Sequence, residues 1–196
     1  MRRHSVVWIG ALTALVLFGP GGAWAAPPAV GEGLPGMTLP APAGPDHRAY
    51  LGLAGEGPFD AAAVRAEVLL IEVFSMYCSY CQKEAPEVNR LYERAGSSPD
   101  LRDRLRIIGI GVGNTALEVE VFRKKYAVPF PLFPDPDFTL HRALGEVRTP
   151  FFIVARRAAE GNGWVAVLTR EGSMDGADPF LKRIREAAGL FKEDGS

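Results

Sequence analysis

The sequence of 196 residues is 47% hydrophobic and 23% charged, with a formal net charge of −1. These values describe one globular domain and exclude a disordered chain, a collagen and a large multidomain protein. Because 22 Lys and Arg residues are balanced by 23 Asp and Glu residues, the chain has no excess positive charge for a phosphate backbone, and no nucleic-acid partner is expected.

Residues 1–25 are predicted to be a cleaved signal peptide. A basic start precedes an apolar run, Val6 to Phe18, and Ala23-Trp24-Ala25 supplies the small-x-small pattern of a cleavage site. An uncleaved membrane anchor is the alternative, since residues 5–26 could just span a bilayer. Export would leave a net charge of −3 and place the chain in the periplasm or beyond, outside the reducing cytosol.

The exported chain is predicted to start with an irregular segment rich in Pro and Gly, residues 26–46, followed by one domain at 47–196. Hydrophobic periodicity and turn residues define the elements of this domain. The first elements are a strand-like stretch at Arg48–Leu53, a short helix at Ala61–Ala66 capped by Asp60, a buried strand at Glu67–Phe74 and a helix at Cys78–Ala95. They are followed by a second buried strand at Leu105–Val112, a helix at Ala116–Tyr126 capped by Asn114 or Thr115, an extended stretch at Val128–Phe133 and a short helix at Phe138–Leu144. The last elements are strands at Phe151–Ala155 and Trp164–Thr169, joined by a Gly161-Asn162-Gly163 turn, and a helix at Asp178–Ala188. Strands that alternate with helices before a closing hairpin predict an α/β fold, with a central mixed sheet and helices on both faces.

The two cysteines form a CxxC motif, Cys78-Ser79-Tyr80-Cys81, where a predicted strand leads into a predicted helix. Cys78 is then expected at the helix N-terminus, where unpaired N–H groups and the helix dipole stabilise a thiolate. Cys81 follows one turn later, near enough to attack a mixed disulfide on Cys78. The motif at this position predicts a redox-active pair, with Cys78 as the nucleophile and Cys81 as the resolving residue.

The segment around this motif, Ile71 to Pro86, resembles the active-site region of the thioredoxin superfamily and is most similar to that of the periplasmic TlpA-like redoxins. Glu84 and Pro86 match a Glu and a Pro that follow the CxxC motif in that family. Asp135-Pro136-Asp137 matches a family turn, and Arg148-Thr149-Pro150 resembles the cis-proline loop. The resemblance covers about residues 33–190 and implies a thioredoxin-like fold.

The resemblance also implies roles for other residues. Pro150 would be a cis proline facing the CxxC motif, and Thr149 would offer backbone groups to an incoming client strand. Glu72 lies six residues before Cys78, where thioredoxin has a buried Asp. A buried carboxylate there could take the proton from Cys81, and Glu84 could share this role.

The motif departs from the family pattern beside the cysteines. Tyr77 replaces the usual Trp, and Ser79-Tyr80 is neither the Gly-Pro of thioredoxin nor the TlpA-like dipeptide. A Tyr before the second Cys is similar to glutaredoxins and to bacterial disulfide isomerases. Because this dipeptide tunes the reduction potential, it leaves the direction of electron flow open. Tyr77, Ser79 and Tyr80 are predicted to shape the docking surface for the substrate.

Other interpretations of the same residues stay open at this point. The cysteines could form a purely structural disulfide, although a bridge across so short a loop restrains little of the unfolded chain. A metal site would need further ligands, and only His47 and His141 remain after the signal peptide, so no metal or other cofactor is expected. Glu72 could face water at a strand end, and Glu84 could be a solvated helix residue.

The sequence therefore predicts an exported thiol:disulfide oxidoreductase that reduces disulfide-bearing envelope proteins, such as an apocytochrome c, and is itself reduced by a membrane thiol electron donor. A redoxin-type thiol peroxidase is one alternative. Its motif, P-x-x-x-[TS]-x-x-C, fits at Ser75, but Ile71 occupies the Pro position. A disulfide isomerase or oxidase of the same fold is another alternative. The isomerase is disfavoured, because residues 26–50 are too short and too rich in Pro to form a separate dimerisation domain.

Overall fold

The computed structural model of the chain describes residues 26–159 and 163–190. The predicted signal peptide, and Gly161 and Asn162 of the predicted hairpin turn, lie outside these residues. Within the two described ranges, no helix is both long and apolar enough to cross a membrane.

Seven strands and five α-helices form the described part of the chain. The strands are β1 (Thr38–Leu39), β2 (Phe59–Asp60), β3 (Val68–Phe74), β4 (Leu105–Val112), β5 (Leu132–Asp135), β6 (Phe151–Arg157) and β7 (Trp164–Glu171). The helices are α1 (Pro45–Leu51), α2 (Ser79–Ser97), α3 (Ala116–Lys125), α4 (Thr139–Ala143) and α5 (Ala177–Ala188), with a 3-10 turn at Ala61–Ala63 whose N-cap is Asp60.

Five of these strands form a mixed sheet in the order β5-β4-β3-β6-β7. β3, β4 and β5 run parallel, whereas β6 pairs antiparallel with both β3 and β7. β1 and β2 form a separate two-stranded antiparallel sheet. This topology confirms the predicted α/β fold with a central mixed sheet.

Residues of β3 alternate between two hydrophobic cores, one on each face of the sheet. Val68, Leu70 and Phe74 pack in the core that also contains the apolar sides of α2, α3 and α5. Leu69, Ile71 and Val73 pack in the core that contains α1, α4 and the 3-10 turn. Because side chains alternate along a strand, Glu72 belongs to the face covered by α2. The prediction of helices on both faces is therefore confirmed.

The segment 26–46 is irregular apart from β1 and the first residues of α1. It still contributes to the second core, where Met37 and Leu39 are fully buried. Its backbone is tied to the edge strand β7, since Gly31 N–H donates to Ala166 O and Leu34 N–H donates to Trp164 O.

The predicted strand at Arg48–Leu53 is wrong, because this stretch belongs mainly to α1. Pro45 occupies the start of the helix, where its missing N–H costs no hydrogen bond and its fixed φ suits the helix. Gly52 ends the helix in the left-handed conformation, with φ of 67°. The short hydrophobic pattern of residues 49–53 resembles that of a strand. Pro45 and Gly52 at the two ends, together with the burial of Leu51, favour a helix instead.

β5 begins four residues later than the predicted extended stretch at Val128–Phe133. Pro129 and Pro131 have no N–H group, so they cannot donate to a neighbouring strand. Pro131 contributes only its carbonyl oxygen, which accepts from Gly109 N–H at 2.9 Å. Regular pairing with β4 therefore starts at Leu132.

The packing of α2 on the sheet predicts a large loss of stability when Leu91 is truncated. Leu91 is fully buried in the first core, and Leu91→Ala is expected to lower the free energy of unfolding by about 2–5 kcal/mol. The matched control is Leu117→Ala on α3, where the residue is 74% exposed and the change should stay within about 0.5 kcal/mol. Urea unfolding measures both values, and equal losses would contradict this packing.

Candidate active site

Cys78 lies at the N-cap of α2, directly after the short loop that leaves β3. Its Sγ accepts a hydrogen bond from the backbone N–H of Cys81 at 3.3 Å, and its thiol donates to the carbonyl oxygen of Thr149 at 3.3 Å. Partial burial is the largest single effect and disfavours the thiolate, but hydrogen bonds involving Cys81, Thr149 and Tyr80 together outweigh it and hold the pKa of Cys78 below its ordinary value. Cys78 is thus the more readily ionised of the two thiols.

Cys81 occupies the next turn of α2 and is fully buried in the first core. Burial, together with its interaction with Cys78, raises the pKa of the Cys81 thiol far above its ordinary value. Both cysteines are free thiols in this structure. A half-buried thiol of lowered pKa therefore stands one helical turn from a buried thiol of raised pKa, which suits an attacking and a resolving cysteine.

Glu72 is the only charged residue of β3, and it is 2% exposed. Its Oε1 atom has no hydrogen-bond partner among the described residues. Burial, and secondly the charge of Glu84, raise the pKa of Glu72 to about 8. Its charge in turn contributes to the raised pKa of Cys81. The alternative in which Glu72 faces water is wrong, because its strand is central in the sheet and covered by α2.

Glu84 is also buried, so its interpretation as a solvated helix residue is wrong as well. Its Oε1 atom accepts from the backbone N–H of Met174 at 2.8 Å and from the Ser173 hydroxyl at 3.3 Å. These bonds tie α2 to the loop between β7 and α5. Glu84 therefore has a structural anchoring role in addition to its electrostatic effect on Glu72.

The Thr149–Pro150 peptide bond is cis and faces the CxxC motif, since the Thr149 carbonyl accepts from the Cys78 thiol. Pro150 is buried and Thr149 is partly exposed. Tyr77, Ser79 and Tyr80 are exposed around Cys78. The structure thus brings together all nine residues that the sequence assigns to the site.

A comparison of the sequence with protein families decides the membership of this chain. The sequence model of the AhpC/TSA family matches residues 30–163, which is more than half of the chain and includes the CxxC motif. The chain belongs to the AhpC/TSA family. No curated protein sequence matches it.

Solved structures similar to this AhpC/TSA protein have the thioredoxin-like fold. A secreted Mycobacterium tuberculosis disulfide oxidoreductase, described as homologous to E. coli DsbE, is 18% identical with a TM-score of 0.54, over 76% of this chain and 95% of its own. StoA from Bacillus subtilis is 16% identical with a TM-score of 0.54, over 82% and 98%. A thiol:disulfide interchange protein from Chlorobium tepidum is 18% identical with a TM-score of 0.56, over 84% and 99%. The resemblance to the thioredoxin superfamily is confirmed for the fold.

Three polar residues of this family member support the CxxC loop although the sequence does not assign them to the site. Buried Asn114 accepts from Met76 N–H at 2.8 Å, and Gln82 donates to Met76 O at 2.7 Å. Glu118 accepts a hydrogen bond from the Tyr77 hydroxyl. The sequence indicates Asn114 only as a candidate helix cap, and Thr115 takes that role. The only sequence signal for a role of Asn114 at the site is its position as a polar residue just after a buried strand.

The described residues contain no group of three His, Cys, Asp or Glu side chains that could hold a metal ion. The two histidines of these residues have other contacts. The His141 ring nitrogen Nε2 is 2.9 Å from Val147 O. Burial and the nearby Arg123 lower the pKa of His47.

The different environments of the two thiols predict selective alkylation. With limiting iodoacetamide at pH 7, Cys78 of the reduced protein should react at least about ten-fold faster than Cys81, because it is accessible and its pKa is lowered. Fragment-ion mass spectrometry separates the two modified positions. In urea both thiols should react at similar rates, and equal rates in the folded protein would contradict the assignment.

The buried carboxyl of Glu72 predicts a loss of stability as the pH rises. Its pKa is about 8 in the folded protein against an ordinary 4.5, so the stabilisation by its proton is complete below about pH 4.5 and lost as the pH rises through about 8. Relative to Glu72→Gln, the wild-type free energy of unfolding should fall over this window by up to about 1.4 kcal/mol per pH unit.

Urea unfolding at a series of pH values between 4.5 and 9 measures this difference. The matched control is Glu93→Gln on the exposed face of α2, which should keep the wild-type pH dependence. If the wild-type and Glu72→Gln profiles were parallel, Glu72 would not bind its proton more tightly in the folded state.

Proposed function

We propose that this chain is an exported thiol:disulfide oxidoreductase that works as a reductase. The observation that carries the proposal is the inequality of its two thiols. Cys78 caps α2 with a lowered pKa beside the Thr149 carbonyl, whereas Cys81 is buried beneath it with a raised pKa. This arrangement supports attack by one thiol and later release by the other.

In the first step the Cys78 thiolate attacks one sulfur of a client disulfide. The client S–S bond breaks, a Cys78–client mixed disulfide forms, and the other client sulfur leaves as a thiolate that takes a proton from water. An extended client segment would pair with the backbone at Thr149, as an added strand. Tyr77, Ser79 and Tyr80 form the exposed surface that meets it.

In the second step Cys81 loses its proton and attacks the Cys78 sulfur. The mixed disulfide breaks, the second client thiol is released, and the chain retains the Cys78–Cys81 disulfide, so two electrons have passed to the client. The ionised fraction of Glu72 accepts the Cys81 proton in this step, because a pKa of about 8 leaves part of this group as a carboxylate near neutral pH. Glu84 contributes by raising that pKa.

The pKa of Cys78 bears on the direction of electron flow. A strongly oxidising CxxC protein stabilises its thiolate form to an unusual degree. Here hydrogen bonds lower the pKa of Cys78 against the opposing effect of burial, and no cationic side chain is among the groups that lower it. Moderate thiolate stabilisation favours a reductant, which then needs two electrons from a membrane thiol donor in each cycle.

The predicted signal peptide at residues 1–25 supports export to the periplasm or beyond. One of the similar structures is described as that of a secreted protein, which is consistent with this location. Disulfide-bearing envelope proteins, such as an apocytochrome c, are the proposed clients. The absence of excess positive charge gives no support to a nucleic-acid partner.

The proposal predicts catalysed reduction of insulin disulfides with dithiothreitol as the electron source. The reduction potential should lie well below about −200 mV, toward the value of thioredoxin, roughly −270 mV. Cys78→Ser should abolish turnover, whereas Cys81→Ser should retain the first step and accumulate a mixed disulfide with the client. Turbidity and non-reducing electrophoresis measure the two results.

Three results would overturn this function. A potential near −120 mV would make the protein an oxidant. Consumption of hydrogen peroxide by Cys81→Ser, with a small thiol supplied, would make it a thiol peroxidase. Equal inertness of the wild type and Cys78→Ser toward every disulfide would leave the cysteine pair without a redox role.

A further inference from the structure

Two large hydrophobic residues near Cys78 in the chain are strongly exposed. Tyr77 and Tyr80, which flank it, are 68% and 70% exposed. Leu117 is 74% exposed and stands next to Glu118, the residue that holds the Tyr77 hydroxyl. Apolar surface gathered in one place marks an interaction site more strongly than isolated apolar residues do.

An open groove of about 530 Å³ lies on one side of Cys78, between the CxxC loop and the cis-proline loop. We call it the Phe138 groove. The residues that line it include Tyr77, Phe138, His141, Val147, Arg148 and Thr149. Thr149 also touches the Cys78 thiol, so one side of the groove lies next to the residue that contacts the reacting sulfur.

Phe138 is held in an unusual conformation that leaves its ring 44% exposed. Its φ is 57°, in the left-handed region that bulky residues rarely adopt. Buried Asp135 maintains it, since its carbonyl accepts from Phe138 N–H at 3.2 Å and its carboxylate accepts from the next turn, at Leu140 N–H and His141 N–H. A strained residue fixed by its surroundings at a site is a signal of function.

Gly113 leaves room for this ring. A Cβ atom at Gly113 would come within 2.8 Å of the Phe138 ring. The ring therefore lies directly over the backbone of the β4–α3 connection and forms one wall of the groove. Tyr77 is the second aromatic residue in the lining.

Arg148 gives the groove its charge. It is exposed, and it has no ion pair or hydrogen bond with any other residue of the two described ranges. Apart from His141, the lining contains no other basic residue, and it contains no Asp or Glu. An unpaired guanidinium beside the Thr149 backbone attracts a carboxylate.

We propose that the Phe138 groove selects clients that carry a large apolar side chain and an acidic residue close to the reacting cysteine. The inference rests on the proposed function and names its substrate class. A client cysteine at Cys78 with its backbone along Thr149 would place its neighbouring residues in the groove, because Thr149 lines the groove together with Phe138 and Arg148. The apolar side chain packs between Tyr77 and Phe138, and the carboxylate meets Arg148.

The test uses four short peptides as symmetric disulfide dimers, each with one cysteine per chain. The cysteine is preceded by Phe or Ala and followed by Asp or Lys. One reduced protein molecule reduces one peptide dimer, which gives two peptide thiols and the Cys78–Cys81 disulfide. Because the dimer is symmetric, attack on either of its two sulfur atoms gives the same mixed disulfide. Each rate is divided by the rate of the same peptide with dithiothreitol, which removes the intrinsic reactivity of its disulfide.

The normalised rate should be higher for the Asp peptides than for the Lys peptides by up to about five-fold, which corresponds to one exposed ion pair. Added salt should reduce this preference. The net charge of the chain, −1, favours the opposite order, so an acidic preference points to the local field of Arg148. Arg148→Glu should reverse the Asp-to-Lys ratio, whereas Arg156→Glu, exposed near the far end of β6, should leave it unchanged.

Phe138→Asn tests the apolar half of the proposal. Asn tolerates the left-handed conformation, so the variant removes the ring without adding backbone strain. The ratio of Phe-peptide to Ala-peptide rates should exceed about five in the wild type and fall toward one in the variant. Thermal unfolding checks that the variant remains folded, and Arg148→Glu provides the independent test if it does not.

The outcomes separate this proposal from the proposed function. If the wild type reduces all four peptides at equal normalised rates, or if Arg148→Glu keeps the wild-type ratio, the selectivity is overturned and the oxidoreductase stands. If no peptide dimer and no insulin disulfide is reduced, the oxidoreductase function itself fails.

Discussion

The helix α2 begins where the buried strand β3 ends, and its packing against the sheet fixes the position of each sulfur. Cys78 becomes the N-cap and is partly exposed, whereas Cys81, three residues later, is carried into the core. The hydrogen bond from Cys81 N–H to the Cys78 sulfur exists only in this geometry. A helix that started one residue earlier or later would change which thiol is accessible and which is buried.

Two buried carboxyl groups lie behind the cysteines, and they differ in how they are satisfied. Glu84 accepts two hydrogen bonds from the β7–α5 loop, which stabilise the packing of α2. Glu72 has an oxygen without a partner among the described residues, and such a group costs free energy in a protein core. A departure of this kind from the usual rules of packing is expected at a functional site rather than at a structural one. Its charge also contributes to the raised pKa of the Cys81 thiol.

Family membership and fold do not specify the reaction, because related scaffolds carry different chemistry. The CxxC motif is more informative, because it places a partly exposed thiol of lowered pKa one helical turn from a buried thiol of raised pKa. The connection from β4 to α3 also contributes, because Asn114 in it and Glu118 on α3 accept hydrogen bonds from Met76 and Tyr77, just before Cys78. Parts of the fold that are distant in sequence therefore position one reactive sulfur.

The sequence by itself determined β4, nearly all of β3 and α2, and the CxxC motif at their junction, because hydrophobic periodicity and capping residues act over a few neighbours. It could not determine that Arg48–Leu53 is mainly helical, where a short alternation competed with helix-ending signals. The burial of Glu72 and Glu84, and the groove formed by Phe138 and Arg148, were decided only by the tertiary structure. These features depend on which face of a strand or helix is covered and on contacts between distant segments, and no local pattern encodes them.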